Sequence, residues 1–275
     1  MTFKKLTPMP MLNDLSIASD SIVIDEVSKT FTAPSVRRNE TSQGLQTLWD
    51  VHFGVGANQF VSLVGPSGCG KSTLLKMIAG VDRDYEGRIL VEGRDVRKER
   101  VPVCYMLQRD YLMPWRTLME NVLLPVEIEK GDLKAAREKV MPLLEEFGLS
   151  GFENYRPHAL SGGMRQRAAL LRTYLMKGSI MLLDEPFGAL DELTRIKMQD
   201  WLTGVWEKRK KTVLFVTHNI EEAVYLSDRI LVMSQRPGHI TGDIKVELPR
   251  PRLREMSYDK AFMEYRKEVL GLLEG

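Results

Sequence analysis

One stretch limits what this chain can become: Gly65-Pro66-Ser67-Gly68-Cys69-Gly70-Lys71-Ser72-Thr73. It follows an apolar run, Phe60-Val61-Ser62-Leu63-Val64, with the composition of a buried strand. It leads into Thr73-Leu74-Leu75-Lys76-Met77-Ile78-Ala79, with the spacing of a helix. Strand, glycine-rich loop and helix together form the setting of a phosphate-binding loop. Glycines let the backbone curl until several N–H groups point at one anion. The helix start adds free N–H groups and the positive end of its dipole. Lys71 is placed to reach β- and γ-phosphates, and the Ser72 hydroxyl to take a position on magnesium. The expected ligand is a nucleoside triphosphate; the loop alone does not fix the reaction.

A chain of 275 residues, 43% hydrophobic and 28% charged, has ample material for a core. Its formal net charge of +2 gives no global field toward nucleic acid or anionic membrane, so no nucleic-acid partner is expected. Two cysteines, Cys69 and Cys104, cannot make a disulfide scaffold and are expected as free thiols in a reducing compartment. No run reaches the roughly eighteen apolar residues of a membrane span, and Met1 to Asp20 lacks the apolar core of a secretory signal. A soluble, cytoplasmic protein is expected, held at any membrane only by something else.

The segment 1–20 has little pattern and is expected to be a flexible leader. Ser21 to Val27 predicts an early strand, and Thr32 to Gly44, without apolar period, a mobile loop. Thr47 to Phe53 resumes strand composition. Gly87 to Gly93 and Val101 to Leu107 predict further strands. Residues 116–148 then show helical spacing, with Gly131-Asp132 opening a helix and Gly148 closing one. A helix is predicted from Arg165 to Met176. Short apolar runs return at Ser179 to Leu183, Thr212 to Val216 and Arg229 to Met233, long enough for buried parallel strands. A helix over about 192–210 ends in Lys208-Arg209-Lys210-Lys211, favourable charge at a helix C-terminus. Ile240 to Leu248 adds a last strand, stopped by Pro249 and Pro251, and an amphipathic helix over about 257–273 closes the chain. The fold class is α/β. The main domain spans 21–250, its helical insert about 109–176, and a helical tail 251–275.

Leu182-Leu183-Asp184-Glu185-Pro186 carries a second chemical signal. A buried strand would deliver Asp184 to its C-terminal end, where a carboxylate can hold magnesium and Glu185 can take a proton from an attacking water. The competing reading is two surface carboxylates at a strand end. Gln108 also ends a strand; its amide suits contact with magnesium and the attacking water, or a plain polar cap. His218, after Val213 to Thr217, is placed to donate to a γ-phosphate. Leu160-Ser161-Gly162-Gly163-Met164 puts a serine and two glycines before a helix, a second anion site by the same physics. One nucleotide needs only one cradle. Two chains arranged head to tail, each offering this turn to the other's nucleotide, use both.

With these motifs in order, the sequence resembles the ATP-binding cassette family from about Ile22 to Leu248. The resemblance implies a P-loop NTPase with a RecA-like core, an antiparallel β subdomain and an inserted α-helical subdomain. It makes Gln108 the Q-loop, Leu160 to Met164 the signature, Asp184-Glu185 the Walker B pair, Asp191 in Ala189-Leu190-Asp191 the D-loop, and His218 the switch histidine. Phe31 matches the position where the family stacks an aromatic ring on adenine. The signature ends in Met164 where glutamine is usual. Leu112-Met113-Pro114-Trp115-Arg116-Thr117, Pro186 to Asp191 and Arg236-Pro237-Gly238-His239-Ile240 are similar to importers of nitrate, sulfonate, taurine, bicarbonate or pyrimidine precursors. That implies ATP and Mg2+, a nucleotide-sandwich dimer, transmembrane permease subunits, indirectly an extracytoplasmic solute-binding protein, and a place on the cytoplasmic face of the membrane. Tyr111, Leu112, Met113 and Trp115 set apolar bulk beside Gln108, suited to grip a permease helix or to pack the insert on the core. The alternatives are a soluble cassette acting in DNA or metal-cluster assembly, a regulatory ATPase without a permease, and a P-loop kinase, which would have no use for the second anion loop.

Overall fold

The computed structural model describes residues 20–32 and 44–274. The expected leader over 1–20, apart from Asp20, and the interior of the expected 32–44 loop lie outside them.

The apolar runs of the sequence become the middle of a six-stranded sheet. Its strands are β3 (Phe60–Val64), β6 (Cys104–Met106), β7 (Ile180–Asp184), β8 (Thr212–Thr217), β9 (Arg229–Met233) and β10 (Ile240–Lys245), in the order β10-β9-β3-β8-β7-β6. β9, β3, β8, β7 and β6 are parallel, and β10 runs antiparallel at one edge. Each central strand splits its side chains between two cores, as the period of two requires. Phe60, Met181, Leu183, Val213, Phe215, Ile230 and Val232 face one core. Val61, Leu63, Ile180, Leu182, Leu214, Val216, Leu231 and Met233 face the other.

The second core is closed by a four-stranded antiparallel sheet and one helix. The sheet has the order β2-β1-β4-β5, from β1 (Ile22–Thr32), β2 (Gly44–Val55), β4 (Glu86–Val91) and the two-residue β5 (Arg94–Asp95). Ile22, Ile24, Val51, Phe53, Ile89 and Val91 pack inward from it. Between the sheets lies helix α1 (Lys71–Ile78), burying Leu74, Leu75, Met77 and Ile78.

The first core is closed by helices. α2 (Leu118–Ile128) starts in a capping box of Thr117 and Glu120. Asp132 caps α3 (Leu133–Glu146), which ends at Gly148: its N–H meets the Glu145 carbonyl while the Leu149 N–H meets that of Leu144. α4 (Gly162–Tyr174), α5 (Glu192–Arg209), α6 (Ile220–Leu226) and α7 (Lys260–Glu274) complete the set. α2, α3 and α4 fill the chain between β6 and β7, the inserted helical part of the fold.

Four expected boundaries are corrected. The strand expected over 101–107 pairs only at Cys104–Met106, because Pro102 has no N–H for the ladder and β6 is an edge strand. The helix expected from Arg165 begins at Gly162 and ends at Tyr174, because the Ser161 side chain accepts from Met164 N–H and caps it earlier. The last strand stops at Lys245. The closing helix begins at Lys260 after a 3-10 turn over Arg254–Tyr258.

Candidate active site

The glycine-rich loop leaves β3 and enters α1 through Gly70, at φ 115°, a conformation open to glycine and costly for other residues. Among the described residues no side chain caps this helix start. Its first-turn amides therefore remain available to an anion, with the dipole behind them. Lys71 is buried; its ammonium donates to the carbonyls of Gly65 at 2.7 Å and Pro66 at 2.8 Å. The Ser72 hydroxyl donates to Asp184 Oδ1 at 3.0 Å, which joins the loop to the end of β7. Burial pushes the Asp184 carboxyl above its ordinary range, and the Ser72 hydrogen bond works against that shift.

Glu185 follows in a left-handed conformation, φ 47°, rare for a residue with a side chain. Its backbone is held at both ends: its N–H meets the Val216 carbonyl at 2.9 Å, and its own carbonyl accepts from Gln166 Nε2 at 2.9 Å. Such over-determination is what lets a strained residue persist. The carboxylate then meets two of the residues singled out above. Gln108 Nε2 donates to Oε2 at 3.2 Å, and His218 Nδ1 lies 3.5 Å from Oε1. Gln108, Glu185 and His218 thus converge from the ends of three strands.

A cavity of about 380 Å³ runs from Phe31, Leu45 and Thr47 past Ser67, Gly68, Gly70, Lys71, Ser72 and Thr73 to Gln108 and Glu185. Phe31 is partly exposed and carries the Lys29 ammonium 4.9 Å from its ring centroid. Gly65 and Cys69 are buried beneath the loop, and Pro66 half-buried. Ser161 and Gly163 line neither this cavity nor a second one of about 600 Å³ beyond Glu185, which Gly162 does line with Gln108 and His218. Within one chain, the serine–glycine turn is therefore not assembled onto the phosphate loop. Asp191 sits apart too: it caps α5, accepting from Thr194 N–H at 3.0 Å, and hydrogen bonding by the Thr194 side chain, with that N–H second, holds its carboxyl below the usual range.

Several residues that matter to this geometry carry no motif. Buried Gln166 in α4 bonds both Glu185 O and Ala189 N–H, the latter at 2.7 Å, so the helix that begins at Ser161 is riveted to the turn after β7. Arg172 in the same helix donates to the carbonyls of Asp110 and Tyr111, and Arg165 Nε to Asp110 Oδ2 at 3.0 Å. Gln108 and Ser161 therefore lie on segments joined through one helix. Buried Asn121 bonds Met113 N–H and the carbonyls of Met113, Arg116 and Thr117, shaping the turn that carries Trp115. Of the four apolar residues after Gln108, Leu112 packs in the core, while Tyr111 and Trp115 are exposed. Buried Glu222 accepts from Thr217 Oγ1 at 2.6 Å and Gln199 Nε2 at 3.0 Å, bracing the turn around His218. Burial raises its carboxyl above the ordinary range. Arg165 and Arg172 reach Asp110 and Tyr111 across 55 to 62 residues and Glu222 reaches Gln199 across 23, whereas Asn121 bonds within eight.

A parallel sheet with a glycine loop entering an uncapped helix, and a buried aspartate bonded to that loop's serine, defines a P-loop NTPase. Comparison with known proteins narrows the class. Residues 48–188 match the family model described as "ABC transporter". The chain is 41% identical to an aliphatic sulfonates import ATP-binding protein of Bacillus cereus, over 92% of this chain and 96% of that one. It is 45% identical to an uncharacterized ABC transporter ATP-binding protein of Methanocaldococcus jannaschii, over 84% of this chain and 85% of that one. A solved dimeric ATP-binding cassette in a post-hydrolysis state, bound to ADP and Pi, superposes with a TM-score of 0.73 at 28% identity, covering 83% of this chain and all of that one. The chain belongs to the ABC transporter family, as an ATP-binding cassette ATPase.

Proposed function

We propose that this cassette drives import of a small solute of the nitrate, sulfonate, taurine, bicarbonate or pyrimidine-precursor type. It works as a head-to-tail dimer on the cytoplasmic face of the membrane, bound to permease subunits that receive solute from an extracytoplasmic binding protein. The solute class is supported by the sulfonate importer relative, and the dimer by the dimeric cassette whose fold this chain shares. No described helix is long and apolar enough to cross a membrane, and in this reading the permease subunits form the passage. Within the chain, 21–250 forms the cassette, with about 109–176 as the insert facing the permease, and 251–275 its tail.

The observation that carries the hydrolytic reading is the carboxylate of Glu185 held between Gln108 and His218, one residue from the Asp184–Ser72 contact. ATP enters along the cavity with its adenine on Phe31 and its phosphates in the cradle of 65–73. Lys71 exchanges the Gly65 and Pro66 carbonyls for phosphate oxygens. Ser72, Asp184 and Gln108 offer oxygen donors, the set a magnesium ion accepts beside substrate phosphates, and they would hold it. When bound, magnesium neutralises charge on the β- and γ-phosphates. Glu185 takes the proton of the attacking water, Gln108 orients that water and His218 steadies the γ-phosphate. Ser161, Gly162 and Gly163 of the facing copy close the site, with Asp191 at the same seam. Closure is favoured because ATP touches both copies only when they are together.

Glu185→Gln tests this. The variant should bind ATP, lose about 100-fold or more in phosphate release, as loss of a general base costs, and accumulate as a closed dimer in size-exclusion runs with ATP. Turnover at the normal rate would remove Glu185 from its role. Purification from detergent-solubilised membranes without any permease would overturn the importer reading.

A further inference from the structure

The stretch Arg236-Pro237-Gly238-His239-Ile240 is not used by the mechanism above, yet the structure presses it against the phosphate loop. It forms the connection between β9 and β10. Gly238 N–H donates to the Thr47 carbonyl at 2.9 Å, and Trp49 N–H to the Gly238 carbonyl at 3.1 Å, so the connection is tied to β2. Inside it, the Ser234 hydroxyl bonds Pro237 O at 3.2 Å and the His239 ring at 2.9 Å. The approach to the loop is close: a Cβ added at Gly238 would lie 2.1 Å from the Cys69 carbonyl oxygen. Glycine is needed there because any side chain would push the connection off the loop.

This packing fixes where Arg236 stands. Its Nε and Nη2 both donate to the Gly68 carbonyl, at 3.0 and 2.7 Å. Two of the five guanidinium N–H groups are thereby used and three remain. The side chain is exposed and lines the same cavity as Phe31, Lys71, Ser72 and Glu185. Some arginines meet carboxylates, as Arg229 does Asp243, Arg250 Asp228 and Arg254 Asp200, while Arg167, Arg172 and Arg252 donate to backbone carbonyls away from the cavity. Among the described residues no carboxylate pairs with Arg236. A planar cation with free donors, fixed at the mouth of a phosphate cradle and without a counter-ion among the described residues, is chemistry made for phosphate oxygens.

We propose that Arg236 is a nucleotide-binding residue, a second cation beside Lys71 that engages the polyphosphate of ATP from the rim of the cradle. The carbonyl of Gly68 holds the guanidinium in place and orients its remaining N–H groups. This rests on the reading that nucleotide binds at the phosphate loop.

The test is equilibrium binding of ATP and ADP to the full chain, by displacement of a fluorescent nucleotide analogue, for wild type, Lys71→Ala, Arg236→Gln and Arg236→Lys. Glutamine can still donate to Gly68 O but has no charge; lysine keeps the charge. Arg236→Gln should weaken ATP about tenfold at low salt, the scale of one charge-assisted hydrogen bond. Arg236→Lys should recover most of that, and the gap should shrink as salt is raised. Arg236→Gln binding ATP within twofold of wild type, or Arg236→Lys no tighter than Arg236→Gln, would overturn the assignment. A salt-independent gap would also overturn it, since a purely mechanical clamp behaves that way. If wild type failed to bind ATP, or Lys71→Ala bound as wild type does, the phosphate-loop reading would fall and this assignment with it.

Discussion

Two helices in this chain begin at glycine-containing turns that look alike in sequence, and they are built on opposite principles. α1 begins at Gly70 in a left-handed conformation with no side-chain cap. α4 begins at Ser161 in an extended conformation, φ −64° and ψ 161°, with the serine side chain capping Met164 N–H. At the first turn the glycine is demanded from within: its φ is 115°, and an added Cβ would stand 2.4 Å from Leu48 Cδ2. At the second, Gly162 and Gly163 lie inside the helix, and neither has a positive φ. An added Cβ would meet nothing nearer than 3.9 Å at Gly162 and 3.4 Å at Gly163. Nothing inside the chain asks for glycine there, although glycine weakens a helix. A demand from outside the turn is what the proposed head-to-tail dimer would supply.

The contrast is broken most directly at the first turn. Gly70→Ala combines left-handed strain with a contact against fully buried Leu48. It should cost about 3 kcal/mol of stability. Denaturant unfolding of the nucleotide-free chain measures this, and an unchanged midpoint would mean that the loop is not held in the shape described. ATP binding should be lost as well, because the amides that converge on phosphate depend on that turn.

The effect at Ser161 is smaller. Ser161→Ala removes an N-cap and should cost about 1 kcal/mol in the same unfolding experiment. Its hydroxyl oxygen accepts from Met164 at 3.2 Å, which leaves its own proton free to donate. ATPase activity should therefore fall by more than the lost stability explains. Activity that tracks stability alone would reduce Ser161 to a helix cap.

The same contrast explains which parts of the molecule the sequence makes legible. The central strands are readable because residues on both faces are buried, so Ile180 to Leu183 or Val213 to Val216 appear as unbroken apolar runs. The phosphate loop is readable because its constraint is local: glycines at fixed spacing between a strand and a helix. β6 reads too long, since an apolar run does not reveal that Pro102 lies outside the ladder. α4 is read as starting too late, because glycines suggest a loop until the Ser161 cap is seen. What stays hidden is polar and long-range. Glu222 braces the turn at His218 through Gln199, 23 residues away, and Arg236 reaches Gly68 across 168. Such bonds leave no period and no spacing, so they emerge only when the chain is folded. Residue roles such as Asp191 at the seam follow from resemblance; in the folded chain its carboxylate is already occupied as the cap of α5.

The smallest expected change is the sharpest test, because its two readouts should move in opposite directions. Gly162→Ala and Gly163→Ala exchange a weak helix former for a strong one where the backbone is already helical. Each should therefore stabilise the isolated chain by roughly 0.5–1 kcal/mol. Gly162→Ala should gain the most, since its Cβ would have the freer space. Yet in the proposed dimer a methyl group at either position would stand where backbone N–H groups meet a nucleotide held by the other copy. ATP hydrolysis should accordingly fall while stability rises. A variant that is less stable than wild type would show an internal need for glycine and dissolve the contrast between the two turns. A variant that is more stable and hydrolyses ATP at the normal rate would leave the turn without an outside partner, and the dimer would have to close on other residues.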